Sequence, residues 1–200
     1  MMNTMNNIFS KREGSVRFFS AILNLPILQK PKMTKMQSWF KKCNAMEDTN
    51  MEIIASHFGV EYERIPQTFG VCGDFSLTTV SSMFENEFPG YLTLELKADY
   101  MARRTGNVYF EYSHTNDDFF TEKVSGHKKA IEQGCLLVIT VAKEYFFLTI
   151  ESYERLMQAR HYRDVVNSRN INGNPNGCRN RGYLVPVKVL RDFCAYSFEV

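Results

Sequence analysis

The 200-residue chain is long enough for a domain with a sizeable core, and 44% hydrophobic residues exclude an intrinsically disordered polymer. Its 24 basic and 22 acidic residues leave a net charge of +2, which excludes a chain that coats polyanions by bulk charge; any basic surface must come from local clustering. The five cysteines (Cys43, Cys72, Cys135, Cys178 and Cys194) form no C-x-x-C pair and have no histidine at finger spacing. They read as reduced thiols rather than as a disulfide frame or a zinc site.

Residues 1–35 are rich in Met, Asn, Lys and Pro, with an apolar patch from Phe18 to Leu28 broken by Asn24 and Pro26. The patch is shorter than the about 20 residues of a membrane span and lacks a signal-peptide cleavage pattern. The expectation is a cytoplasmic protein without a membrane segment, built as an arm over residues 1–45 and one domain over 46–200. Met36, Trp39, Phe40 and Cys43 have helical spacing, and Asp48 or Thr49 can cap a second helix carrying Ile53, Ile54 and Phe58 to a stop at Gly59.

Beyond Gly59 the period changes. Alternation over 60–65, a β-branched run over 75–80 and alternation over 91–96 predict a three-stranded meander. Residues 81–90 form the connection with a Pro89-Gly90 turn. A loop ending Thr105-Gly106 leads to a strand over 107–112. A helix from Ser125 or Gly126 closes at Gly134, and two apolar runs, 136–141 and 145–150, form a hairpin buried on both faces. A helix over 152–167, an Asn-, Gly- and Arg-rich loop over 168–182, a strand over 183–187 and a short tail complete an α/β or α+β layered fold.

The chemistry lies in the meander. If its second and third strands pair as a hairpin, Asp74 comes near Glu95 and Lys97, which share a face because side chains alternate. A register placing Asp74 opposite Lys97 puts all three together, and a slip of one residue separates them. Two carboxylates with a carbonyl, that of Leu96, make an oxygen-rich site suited to Mg²⁺ or Mn²⁺. Lys97 would orient or activate a water and neutralise charge at a phosphate. As an exposed polar face with Asp74 capping a turn, the same residues would have no chemistry.

Gly73-Asp74-Phe75 followed by Glu95-Leu96-Lys97 resembles the motif of the PD-(D/E)XK nuclease superfamily, with Gly in place of the motif Pro. The continuation through Asp99, Thr105-Gly106-Asn107, Glu111 and Ser125-Gly126 is similar to a phage and bacterial branch of that superfamily. The resemblance covers roughly residues 48–187. It implies a restriction-endonuclease-like mixed sheet flanked by helices, and metal-dependent hydrolysis of phosphodiester bonds with DNA as the usual substrate. It also implies a virus-encoded enzyme in the host cytoplasm with no organic cofactor, and an acid on the first helix that assists the metal, for which Glu52 is the candidate.

Asp99, Asn107 and Glu111 are candidate supporting residues, and the Thr105-Gly106-Asn107 turn is either a phosphate contact or a plain turn. Arg103, Arg104, Lys128, Lys129, Arg179 and Arg181 are the basic residues available to track phosphates, with Lys123 and Arg169 beside them. A sequence-specific restriction-type enzyme, an RNA endonuclease and a noncatalytic nucleic-acid-binding protein remain alternatives, as do a homodimer and a nicking monomer.

Overall fold

Leu136–Val141 is buried at every position. Leu136 and Val138 enter one hydrophobic core, and Leu137, Ile139 and Val141 enter another. Alternation on a strand buried on both faces demands this division, and it makes Leu136–Val141 the wall between two layers. In the computed structural model, which describes residues 35–66, 72–115, 122–167 and 179–200, the chain divides into two units, Met1–Lys41 and Lys42–Val200. The first is described only over 35–41, at the opening of a helix; the second carries both sheets.

The helix α1 (Lys35–Phe58) leads into β1 (Glu61–Arg64), β2 (Phe75–Thr79), α2 (Ser82–Glu87), β3 (Thr93–Ala98) and α3 (Tyr100–Thr105). Then follow β4 (Asn107–Thr115), β5 (Glu122–Val124), α4 (Gly126–Glu132), β6 (Leu136–Val141), β7 (Glu144–Leu148) and α5 (Ile150–Ala159). The chain finishes with β8 (Arg163–Asn167), β9 (Arg179–Pro186), α6 (Val187–Phe193) and β10 (Tyr196–Glu199). Six strands form a mixed sheet in the order β1-β2-β3-β6-β7-β10, parallel only between β3 and β6. Four form an antiparallel sheet, β5-β4-β9-β8. The fold is thus mixed α/β, with a mixed six-stranded sheet flanked by helices, and the second sheet is an addition to the single sheet expected. No helix among the described residues is long and apolar enough to cross a membrane.

One core joins Met51, Ile54 and Phe58 of α1 and Phe84 of α2, with Phe88 just beyond it, to Phe75, Leu94, Leu96 and Phe147 of the sheet. The Phe58 ring meets Phe84, Phe88 and Phe147 at centroid separations of 5.3, 5.7 and 5.4 Å. Each such pair contributes roughly 0.5–1.5 kcal/mol beyond its buried area. The second core packs Val108, Phe110 and Val185 of the four-stranded sheet with Ile131, Tyr153, Leu156 and Leu190 of helices against Leu137, Ile139 and Phe146.

The meander, the α4 helix closed by Gly134, and the hairpin of β6 and β7 agree with the sequence reading. Other elements correct it. Residues 36–58 form one helix instead of two, because Thr49 Oγ1 donates back to Ala45 O (3.0 Å) instead of capping a new helix. The connection over 81–90 contains α2, capped by Ser81 Oγ accepting from Phe84 N–H (3.2 Å). The expected loop before Thr105 is α3, capped by Asp99. The helix expected to reach Asn167 stops at Ala159, where Arg160 turns left-handed at φ 53°, and β8 follows. Arg179 to Gly182 lie in β9 rather than in a loop, and the tail is a helix and an edge strand. Most of the expected arm (1–34) and residues 168–178, with Arg169 and Cys178, fall outside the described residues; Cys43, Cys72, Cys135 and Cys194 are free thiols.

Candidate active site

Leu94 and Leu96 of β3 point into the first core, so Glu95 and Lys97 stand on the opposite face, beside Leu137 and Ile139 of β6 in the parallel ladder. On an otherwise apolar face these two charges need partners, and they find each other: Lys97 Nζ lies 2.5 Å from Glu95 Oε1. The other carboxylate oxygen, Oε2, accepts the Gly73 N–H at 3.0 Å.

Asp74 sits where the β2–β3 ladder stops. The final pair of that ladder is Phe75 with Leu94, and the Asp74 N–H also reaches Leu94 O at 2.8 Å. Its side chain then turns along β3, and Oδ2 accepts the Leu96 N–H at 2.8 Å. The carboxylate is thereby fixed over the backbone between Glu95 and Lys97. The expected register, with Asp74 opposite Lys97, is corrected: Asp74 meets β3 at Leu94 to Leu96, and the three groups are nevertheless brought together. Gly73 permits this path. It has φ +97°, and a Cβ there would stand 2.3 Å from Thr93 Cγ2.

Asp74 and Glu95 are both buried. Burial pushes the Asp74 carboxyl above the usual range and the Glu95 charge adds to this, while Lys97 opposes it. For Lys97, burial disfavours the ammonium, but Glu95 and Asp74 outweigh burial and hold the amine protonated beyond its ordinary value.

A further acid faces the pair. The Glu47 carboxyl is raised by burial and by Asp74, with Lys97 and Arg64 working against them. Arg64 on β1 anchors this helical acid: Nη1 lies 3.3 Å from Glu47 Oε2, Nη2 is 2.7 Å from Asp48 Oδ1, and the guanidinium stacks 4.5 Å from the centre of the Phe75 ring. Glu52 is corrected by this placement. It is exposed, five residues and so about 140° further round the helix, and it lines a separate cleft with His57 and Phe198. Sequence reasoning missed Glu47 although a signal existed: it continues the buried stripe of Met51, Ile54 and Phe58 one turn back, and an acid on an apolar stripe needs a reason.

The supporting residues hold the frame. Asp99 Oδ1 accepts Ala102 N–H (2.9 Å) and Oδ2 accepts Tyr109 N–H (3.0 Å), which ties α3 to β4. Glu111 Oε1 accepts from Ser125 Oγ (2.6 Å) and Oε2 from Asn180 Nδ2 (2.9 Å). Thr105-Gly106-Asn107 is a plain helix-ending turn. The Gly106 N–H is used by Ala102 O, the Asn107 N–H by Thr105 Oγ1, and Asn107 Nδ2 donates to Thr105 O, so its amides are not presented to a phosphate.

Of the basic residues, Arg103, Arg104 and Arg181 are exposed, Lys128 pairs with Glu132 at 3.7 Å, and Lys129 lies by the Cys72 thiol. Arg179 opens β9. Lys123 lies exposed on β5. His127 is buried behind Lys97. Its Nδ1 accepts the Glu111 N–H at 3.0 Å, and burial together with Lys97 lowers its pKa to about 3, so the ring is neutral.

A cavity of about 600 Å³ opens beside Lys97, lined also by Met101, Tyr109, His127, Arg163, Val165 and Leu184. Among the described residues, no group of three or more His, Cys, Asp or Glu side chains is gathered to hold a metal. What the site offers a cation is the Asp74 and Glu95 pair, with main-chain oxygen and water to complete a shell. That set suits a hard divalent ion: it is all oxygen, and a cation there would offset the burial, and with it the Glu95 charge, that raise the Asp74 carboxyl. No protein-family model, curated protein or solved structure matches the chain.

Proposed function

We propose that the protein is a Mg²⁺- or Mn²⁺-dependent endonuclease of the PD-(D/E)XK type that hydrolyses phosphodiester bonds in DNA. The observation that carries this reading is the Asp74 carboxylate seated on the Leu96 N–H at 2.8 Å, directly beside the Glu95–Lys97 pair. That contact gathers the two acids and the lysine of the motif, and Lys97 also lines a cavity.

In this reading Asp74, Glu95 and the Leu96 carbonyl would hold the ion, which when bound would supply Lewis-acid polarisation of the phosphate and a more acidic water. Lys97 is protonated, so it does not begin as a base. It donates hydrogen bonds that orient the attacking water and balances charge on the phosphoryl oxygens. Glu47 adds negative charge behind Asp74, and Arg64 keeps Glu47 in place. Lys97 and His127 differ in role, since the neutral imidazole adds no charge beside the ammonium.

The donor set is tested by titrating the full chain calorimetrically with Mn²⁺. The wild type is expected to bind, and Asp74→Asn and Glu95→Gln to bind at least about tenfold more weakly, within the usual range for disturbed metal sites. A wild type that takes up no Mn²⁺ would leave a noncatalytic nucleic-acid-binding protein as the better reading.

A further inference from the structure

We propose that the cavity beside Lys97 is a subsite for one unpaired DNA nucleotide, so that the strand is engaged single-stranded next to the cleaved phosphate; this rests on the nuclease reading above. The cavity's volume of about 600 Å³ lies within the roughly 300–1,000 Å³ typical of small-ligand sites. Such a volume encloses a nucleoside and cannot admit a base pair with its duplex neighbours.

Its chemistry is divided in the way a nucleotide requires. Met101, Val165 and Leu184 give apolar walls and Tyr109 an aromatic one, while Lys97 and the exposed Arg163 add cationic groups to the lining. A base is a flat apolar body with a polar edge and an anionic tether, and proteins that hold unpaired bases combine stacking surfaces with flanking cations.

One polar atom of the lining lacks an assigned role in the frame. His127 has Nδ1 engaged by Glu111, so its proton sits on Nε2, a neutral donor in the wall of the same cavity. It can donate to an acceptor-rich base edge without adding charge.

The origin of the cavity explains why it adjoins the reacting groups. Tyr109, Arg163, Val165 and Leu184 come from one face of the four-stranded sheet, with Tyr109 and Arg163 both opposite Leu184 in the ladders. Asp99 fastens that sheet to the end of β3 two residues after Lys97. A phosphate at Lys97 and a base on this face are therefore adjacent positions on one strand.

The test is fluorescence anisotropy of the full chain in EDTA with a labelled DNA single strand and with the same strand in a blunt duplex. The single strand is expected to bind about tenfold tighter, in line with alanine-scanning effects of stacked bases. Val165→Trp, which fills the cavity, and Arg163→Glu, at its exposed rim, should reduce that preference to within about twofold.

Equal binding of single strand and duplex by the wild type would overturn the proposal, as would a preference that survives in Arg163→Glu and in a folded Val165→Trp chain. Because EDTA removes metal-dependent chemistry, the two levels separate. A single-strand preference with no cleavage in Mg²⁺ supports the subsite and removes the nuclease reading. Duplex cleavage without the preference removes the subsite and keeps that reading.

Discussion

Replacing Gly73 by alanine tests the local geometry that brings the acids together. The residue holds φ +97°, where an L side chain is strained by about 1–3 kcal/mol. The added Cβ would also stand 2.3 Å from Thr93 Cγ2 and 3.3 Å from Ile65 Cδ1, an overpacking that costs roughly 1–3 kcal/mol. Gly73→Ala should therefore lose about 2–6 kcal/mol, and a central value of about 4 kcal/mol corresponds to a melting temperature lower by about 8–16 °C. The two costs can be separated. Thr93→Ser removes the methyl group that clashes but leaves the backbone strain, so the double variant should regain about 1–3 kcal/mol relative to the sum of the single effects. Urea denaturation of the four chains measures this cycle. A Gly73→Ala chain within about 0.5 kcal/mol of wild type, or a double variant that regains nothing, would refute the geometry.

Three further expectations follow from the buried charges. Burial and then Glu95 raise the Asp74 carboxyl, against Lys97, so the folded chain takes up this proton at higher pH than the unfolded one. The ionised group therefore costs stability as pH rises above the ordinary carboxylate pKa. Asp74→Asn should be more stable than wild type near neutral pH and lose that advantage below about pH 4, as followed by thermal melts across pH. His127 has the opposite sign. The folded state keeps the ring neutral down to about 3, whereas the unfolded ring protonates near 6.5. Its contribution is complete above the higher value and is lost as pH falls through the lower one, with a slope of about 1.4 kcal/mol per pH unit that His127→Gln should remove. Glu111→Ala leaves the buried Ser125 hydroxyl and the Asn180 amide without an acceptor; urea titration should show a loss of about 2–4 kcal/mol, and one within about 0.5 kcal/mol would deny the latch.

Local signals made much of this legible. The period of 2 in the meander, the apolar hairpin of β6 and β7, and the Gly59 and Gly134 stops are properties of neighbouring residues, and they gave the right elements. The helices α2 and α3 carried local signals too: Ser81 and Asp99 are N-caps, Phe84 and Phe88 repeat at a helical interval, and Gly106 ends α3 at φ +70°. The Pro89-Gly90 turn and the short length of each segment concealed them. The acids and the lysine were readable because spacing on two adjacent strands limits where they can meet. The parallel pairing of β3 with β6 depends on contacts some 40 residues apart in sequence, and no local pattern encodes it. The same holds for the second sheet, whose face forms the cavity, and for Glu47, whose role depends on how α1 lies across β2 and β3. Asp99 and Glu111 fall in the expected motif, yet every carboxylate oxygen of theirs is engaged by the frame, so the pattern locates them without revealing what they touch.

In the proposed function, Asp74, Glu95 and Lys97 make a metal-dependent phosphodiesterase site. The most direct measurement is cleavage of supercoiled plasmid, labelled single-stranded DNA and labelled RNA by wild type, Glu95→Ala and Lys97→Ala, each with Mg²⁺, Mn²⁺ or EDTA. The wild type should nick or linearise DNA with either metal and not in EDTA, and both variants should lose cleavage by at least about 10²-fold. No cleavage of any substrate by the wild type, or cleavage by the two variants equal to that of the wild type, would contradict this.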